Sequence, residues 1–217
     1  MSSPTLTFTP AMFHAAHVAR IKTVTRRLAQ VSRQNHIDQL AEAIANDAEW
    51  QFWTSHLRLA AHQPGETKPM VTTWAVHSDL DDHKPSDICS GGIWFDDGSE
   101  KPAWAGKSRP ARFLPKSLYH LAPQVRIESA RPEPLHAILP DDAKAEGIQC
   151  ITKDNGRTWK HGLADRDGLP GGCDIGWIWT HWRTNAVDAY FDLWDTIYPD
   201  HPASSNPIVW RYEFTVL

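Results

Sequence analysis

A concentration of basic side chains near the start of the chain is the feature of this sequence best suited to chemistry. No acidic residue occurs before Asp38, whereas five lysines or arginines do. They are Arg20, Lys22, Arg26, Arg27 and Arg33. An arginine guanidinium can donate two parallel hydrogen bonds to phosphate oxygens, so the segment predicts a phosphate-bearing ligand with Arg26 and Arg27 as its donors. Two alternatives remain: a solvated basic turn balanced by acids elsewhere in the fold, or a structural ion pair for one of the two arginines.

The charge balance of the whole chain limits the kind of partner it can have. The 217 residues contain 22 lysines and arginines and 26 aspartates and glutamates, which gives a net charge of −4. A protein that coats long nucleic acids needs a broad basic face. The composition therefore favours a local site for a small phosphate-bearing ligand over a broad surface for a long nucleic acid. The length suits one domain with insertions.

Cysteine usage and hydropathy predict the compartment. Cys89, Cys150 and Cys173 form no CxxC pair and cannot make an even disulfide framework. No run of residues approaches the roughly 18 consecutive apolar residues of a membrane span. We therefore expect a cytoplasmic protein that has no membrane partner.

The histidines raise the question of a metal site. The chain contains 12 of them, and His14 and His17 would share one face of a helix because they are three residues apart. No third ligand follows at a recognisable spacing, and neither an HExxH motif nor a cysteine-rich pattern occurs. We therefore expect no metal and no other cofactor.

Tryptophan is unusually abundant, with 11 residues in the chain. An aromatic face can stack on an unpaired base, a contact that contributes roughly 1–3 kcal/mol. Trp74, Trp94 and Trp104 lie in a loop-rich middle region, and one of them could form the floor of a pocket for a base. Trp194 and Trp210 lie on periodic apolar faces and are expected to be core. The group at 177, 179 and 182 could form a lid or platform, contact a partner or belong to the core.

Hydrophobic periodicity predicts a mixture of helices and strands. Thr9 is a suitable N-cap and Pro10 a suitable first helical residue, so a helix is expected from 11 to about 19, with Ala19 among its inward residues. The other expected helices are 36–53, 140–146 and 188–197, and the expected strands are 6–8, 70–76, 92–95, 125–127 and 208–216. The segment 150–176 is polar and glycine-rich and is expected to be a long loop. Strands scattered among helices without a βαβ rhythm indicate a curled or barrel-like α+β domain.

Three blocks of sequence together carry a family resemblance. The first is KTVTRR at 22–27. The second comprises GKSRP at 106–110, FLPK at 113–116 and DAKAEGI at 142–148. The third comprises FDLWDTI at 191–197, NPIVW at 206–210 and YEF at 212–214. In this order, over residues 5–30 and 104–217, the chain resembles the activating-signal-cointegrator homology (ASCH) family of the PUA-like superfamily, in particular its longer members, which are common in phages and prophages.

The resemblance implies a fold and a class of ligand. The fold would be a single α+β domain over 1–217, a PUA-like mixed-strand pseudo-β-barrel surrounded by helices, with a core at 5–30 and 70–217, a helical insertion at about 34–62 and long loops. A cleft at one side would bind a nucleobase, a nucleotide or single-stranded RNA. Arg26, Arg27, Trp74, Trp94, Trp104 and Arg109 form the expected ligand-binding set.

The resemblance also implies a chemistry. One compact bacterial branch of the family hydrolyses the amide of N4-acetylcytidine with a Lys, a Thr and a Glu, which correspond by motif position to Lys22, Thr25 and Glu146. Amide hydrolysis needs a nucleophile and a base, and Lys22 can be that base only if burial lowers its pKa. Lys22 could instead stabilise charge while Glu146 activates water, or the two could be a plain ion pair beside a threonine that satisfies a turn. The alternatives to an amidohydrolase are a non-catalytic RNA-binding module that recognises structured or modified RNA and, more weakly, a ribonuclease.

Overall fold

The computed structural model describes residues 5–29, 60–172 and 175–217. The strands of this part of the chain are β1 Leu6–Thr7, β2 Val24–Leu28, β3 Thr67–Val71, β4 Trp74–Val76, β5 Ile93–Phe95, β6 Gln124–Pro134, β7 Gln149–Thr152, β8 Trp159–Gly162 and β9 Ile208–Val216. The α-helices are α1 Pro10–Phe13, α2 Pro140–Ala145 and α3 Ala186–Ile197, and a π-helical turn spans His14–Val18. Short 3₁₀ turns lie at Ser78–Leu80, Pro85–Asp87, Ala111–Phe113, Lys116–Leu121, Leu135–Ala137, Trp179–His181 and Ala203–Ser205.

A five-stranded mixed sheet organises the domain. Its strand order is β1-β3-β6-β9-β2, with β1 parallel to β3 and the other neighbours antiparallel. The long central strands β6 and β9 pair from Pro134 opposite Ile208 to Val125 opposite Val216, and their register shifts once, between Ile127 and Ser129. Such a bulge increases the local bend of a sheet. The mixed α+β class is therefore confirmed, and the described strands form an open sheet with β1 and β2 at its edges.

The connection between these two edge strands is short and determines where the basic segment lies. Thr9 caps α1 by accepting a hydrogen bond from the Met12 amide, as its position before Pro10 predicts. The helix then widens into the π turn, and the amide of Ala19 donates to the carbonyl of His14. Arg20 follows in the left-handed conformation, with φ of 58°. This reversal sends the chain back along the sheet as β2.

Two expectations about this region and the later loop are wrong. Ala19 is exposed, because the extra residue per turn in the π segment displaces it from the inward face predicted by an α-helical period. The segment 150–176 is not all loop, because β7 and β8 pair from Gln149 opposite Gly162 to Thr152 opposite Trp159. Its strands lack the alternation of apolar and polar residues that would have revealed a half-buried hairpin.

Helix α3 contributes to the main core. Asn185 caps it by accepting from the Val187 amide, and its buried residues include Tyr190, Leu193 and Trp194. They pack in the main core with Trp210 and other residues of β9. The expected helix at 188–197 and the core assignment of Trp194 and Trp210 are confirmed.

The loop-rich middle of the chain forms a second, smaller core. Trp74 is completely buried there with Val71, Val76, Ile88, Leu114 and Leu118. Strands β4 and β5 pair separately from the main sheet. The expected helix at 36–53 and nearly all of the insertion at 34–62 lie outside the described residues. In the three ranges that the structure describes, no helix is both long and apolar enough to span a membrane.

Candidate functional site

A cavity of about 200 Å³ lies between the two edge strands and α3. Its polar lining includes four residues of the first sequence block and the glutamate at the end of α2, namely Lys22, Thr25, Arg26, Arg27 and Glu146. The remaining lining residues are Thr7, Phe8, Thr9, Met12, Tyr190, Leu193, Trp194, Ile197 and Tyr198. An apolar wall with a few convergent polar groups is the usual composition of a small-molecule site, and pockets for drug-sized ligands have about 300–1,000 Å³. The volume suits one ring system with a small substituent.

Lys22 is an almost completely enclosed charge of this cavity, with 2% of its surface exposed. Its Nζ donates to the carboxylate Oε2 of Glu146 at 2.6 Å, to the carbonyl of Glu146 at 2.8 Å and to the carbonyl of Val24 at 2.7 Å. An ammonium group has three protons to donate. All three therefore have an acceptor within the protein.

The end of α2 brings Glu146 to Lys22 across 124 residues of sequence. The amide of Thr23 donates to the carbonyl of Ala145 at 2.9 Å, which joins the two segments by backbone. Gly147 has φ of 104°, and a Cβ at this position would lie 3.1 Å from the Cβ of Ala15. Glycine is therefore required both by the left-handed conformation and by the close approach.

Arg26 belongs to a buried network of carboxylates. Its Nε donates to Glu133 at 2.7 Å and its Nη1 to the second oxygen of Glu146 at 3.2 Å. Its Nη2 lies 3.3 Å from Asp142, in ion-pair contact but without hydrogen-bond geometry. These three carboxylates surround the guanidinium, so Arg26 is the arginine that forms the structural ion pair.

Thr25 and Arg27 differ from Arg26 in their contacts. Thr25 is buried and lines the cavity, and no hydrogen bond among the described residues occupies its side chain. Arg27 donates through Nη2 to the carbonyl of Thr7 on the opposite edge strand, and its guanidinium carbon lies 5.1 Å from the centre of the Phe8 ring. A hydroxyl and a guanidinium thus remain available at the cavity.

Tyr190 is a site residue that the sequence interpretation missed. It lines the cavity from α3, and burial together with the charge of Glu146 raises the pKa of its hydroxyl well above the usual value. The hydroxyl therefore keeps its proton and can donate a hydrogen bond. Its place among the apolar positions of the helix concealed it, and the polar end of its ring was the available signal.

Burial lowers the pKa of Lys22 from 10.5 to about 8, although the contact with Glu146 opposes this change. Between these values the unfolded chain binds more protons than the folded chain, so the free energy of unfolding rises with pH. Below about pH 8 the cost of burying the ammonium is present in full. Above about pH 10 the buried Tyr190 and Tyr212 lower the free energy of unfolding as the pH rises, because folding raises the pKa values of their hydroxyls.

We therefore expect the stability of the wild-type protein relative to Lys22→Met to increase by about 2 kcal/mol between pH 8 and pH 10. Urea unfolding of both proteins across this interval measures the difference, and the subtraction removes groups that titrate alike in both. Parallel curves would show that folding does not lower the pKa of Lys22.

The other expected ligand residues do not line this cavity in the described structure. Trp74 is core and donates from Nε1 to the carbonyl of Pro110 at 3.1 Å. Arg109 lies 5.4 Å above the Trp74 ring and donates to the carbonyls of Leu80 and Asp81, which are roles in the second core. These contacts of Trp74 and Arg109 connect the loops of the middle region.

Trp94 and Trp104 also lie apart from Lys22. Trp94 is half-buried, with Nε1 3.4 Å from the Ser99 hydroxyl. Trp104 is 37% exposed and its ring centre lies 6.5 Å from that of His77. In the group at 177–182, Trp182 is core, whereas Trp179 has the ammonium groups of two lysines over its ring.

Metal binding has no geometric support in the described part of the chain, where no group of three or more His, Cys, Asp or Glu side chains could hold an ion. His14 and His17 make other contacts. His14 bonds to the carbonyl of Asp97, and the ring of His17 packs 5.6 Å from that of Phe13.

Comparison of the chain with protein-family models, with curated proteins and with solved structures gave no match.

Proposed function

We propose that the cavity binds the base of an N-acylated nucleoside such as N4-acetylcytidine and hydrolyses its amide. The observation that carries this proposal is the convergence of Lys22, Thr25 and Glu146 on one cavity of about 200 Å³. These residues come from two distant segments, and a nucleophile, a base and a charge partner are the groups that acyl transfer needs.

Thr25 is the nucleophile in this account. Its hydroxyl oxygen bonds to the acyl carbon, its proton passes to Lys22, and the bond from the acyl carbon to the exocyclic nitrogen breaks as Lys22 returns the proton to that nitrogen. Water then hydrolyses the threonine ester and releases the carboxylic acid. The hydroxyl of Tyr190 is suited to donate to the oxyanion that forms in each step.

Lys22 is the base because its pKa lies near the working pH. With a pKa of about 8, roughly a tenth of the side chains are neutral at pH 7. Glu146 holds the lysine in position through Oε2 and couples it to Arg26 through Oε1. Both carboxylate oxygens are thereby engaged, which favours a positioning and charge-balancing role over that of a second base.

A contact between the two edge strands supports a PUA-like pseudo-barrel as the scaffold. The edge strands β1 and β2 approach closely enough for Arg27 to bond to the carbonyl of Thr7. The cavity lies at this junction, where a hydrogen bond from the Arg27 side chain connects the two edge strands.

A second candidate is a non-catalytic module that binds structured or modified RNA. It is favoured by the fact that all three protons of Lys22 and both oxygens of Glu146 already have partners within the protein. Such complete pairing is typical of structural ion pairs.

Incubation with N4-acetylcytidine and a panel of other acylated nucleosides tests the proposal. We expect cytidine and acetate in equal amounts, formed faster as the pH rises through about 8, because the neutral form of Lys22 is required. RNA incubated with the protein should remain intact, which separates this activity from a ribonuclease. Salt-sensitive retention of RNA with no product from any acylated nucleoside would contradict the enzyme and support the module.

A further inference from the structure

A second compartment of about 370 Å³ adjoins the cavity on the other side of Arg27. Three residues line both spaces, namely Thr7, Arg27 and Tyr198. The second compartment also has aromatic walls, formed by Trp210 and Tyr212 of β9, and is lined by His62. The two spaces are therefore neighbours that share a single guanidinium.

Arg27 is the charge at this boundary, and no acidic side chain in residues 5–29, 60–172 or 175–217 balances it. Its side chain donates to a neutral carbonyl, that of Thr7, and no carboxylate within the described ranges forms an ion pair with it. Arg26, the next residue, contacts three carboxylates. Both arginines line the first cavity, but only Arg26 has carboxylate partners among the described residues.

The histidine of the second compartment adds no positive charge to that of Arg27. His62 is 4% exposed, and burial together with the positive charges of Lys68 and Arg27 lowers its pKa to about 4. The imidazole is therefore neutral at physiological pH. A guanidinium that lies over an aromatic ring and has no carboxylate partner in the described part of the chain is suited to an anion with several oxygens.

We propose that Arg27 binds the phosphate of a nucleoside phosphate, whose base occupies the cavity at Lys22 and whose sugar or next nucleotide extends into the second compartment. This inference rests on the proposed function, because it assumes a base in the first cavity. It narrows the ligand from a free nucleoside to a nucleotide. The phosphate can belong to a mononucleotide or to the phosphodiester of an RNA strand.

Calorimetric titration with cytidine, cytidine 5′-monophosphate and cytidine 3′-monophosphate tests the assignment without turnover. Hydrogen bonds to charged groups add enough free energy for at least one monophosphate to bind about ten- to hundredfold more tightly than cytidine. In Arg27→Met the ratio of the two dissociation constants should fall to near one, and in Arg27→Lys it should be intermediate because the charge remains without the planar donor pair.

Arg112→Met is the matched control. Arg112 lies over the ring of Phe113, and it lines neither of the two spaces. This variant should keep the wild-type ratio. A cytidine-containing dinucleotide that binds more tightly than either monophosphate identifies RNA as the source of the phosphate, whereas equal binding identifies a mononucleotide.

Three further outcomes separate this inference from the proposed function. If cytidine binds and neither the monophosphates nor the dinucleotide bind more tightly, the phosphate assignment is overturned while the base site stands. Equal weakening of cytidine and of its monophosphates in Arg27→Met would also overturn it. If N4-acetylcytidine, the cytidine ligands and RNA all fail to bind the folded wild-type protein, the proposed function itself fails.

Discussion

Thr25→Val should abolish hydrolysis of N4-acetylcytidine, with a loss of about four orders of magnitude or more in kcat. Valine keeps the shape of the side chain and its preference for a strand but has no hydroxyl to attack the acyl carbon. Within the described structure the Thr25 side chain makes no hydrogen bond that the substitution would remove. The measurement is the initial rate of cytidine release, together with the urea midpoint of the variant.

Thr23→Val is the control for this substitution. Thr23 has the same chemistry two residues earlier, but it is exposed and is absent from the cavity lining. It should retain the wild-type rate. A Thr25→Val protein that is folded and still active at the wild-type rate would exclude Thr25 as the nucleophile and leave attack by water as the remaining route.

Glu146→Gln should destabilise the protein by about 3–5 kcal/mol, the usual cost of leaving buried charge without its partner. The carboxylate of Glu146 contacts Lys22 at 2.6 Å and Arg26 at 3.2 Å, and all three side chains are almost completely buried. Glutamine can still accept hydrogen bonds but cannot neutralise either cation. Urea unfolding at pH 7 should show a lower midpoint with an unchanged slope.

Glu128→Gln provides the comparison, because Glu128 pairs with Arg126 on the surface. Exposed ion pairs are screened by water and salt, so its midpoint should be close to that of the wild type. If the two glutamine variants unfolded at the same urea concentration, the network around Lys22 would not be a stabilising part of the fold.

Local sequence signals predicted the regular elements where each signal acts within a few residues. The strand at 208–216 agrees with β9 from end to end, and α2 begins at Pro140 and ends before Gly147 as expected. The π turn after α1 was missed because hydrophobic spacing cannot distinguish an α-helix from a single wider turn. The hairpin of β7 and β8 was missed because its residues show no regular alternation of burial.

The candidate site was less accessible to local reasoning. Lys22 and Glu146 are 124 residues apart, and no periodicity relates them; only the family resemblance suggested that they could meet. Arg26 and Arg27 were equally good candidates in the sequence. Their roles differ because three carboxylates pack around Arg26, which only the structure reveals. Tryptophan composition was a poor guide, because Trp74 is used for packing in the second core.

The central claim is that an acyl group passes through Thr25 in a cavity that holds a nucleobase, and the most direct measurement is mass spectrometry of the protein quenched with acid during the first turnover of N4-acetylcytidine. The account predicts one added acetyl group, located on a peptide that contains Thr25 and absent from Thr25→Val. Cytidine formation with no acetylated protein at any time would contradict the threonine ester, and the absence of both cytidine and acetylated protein would contradict the hydrolase.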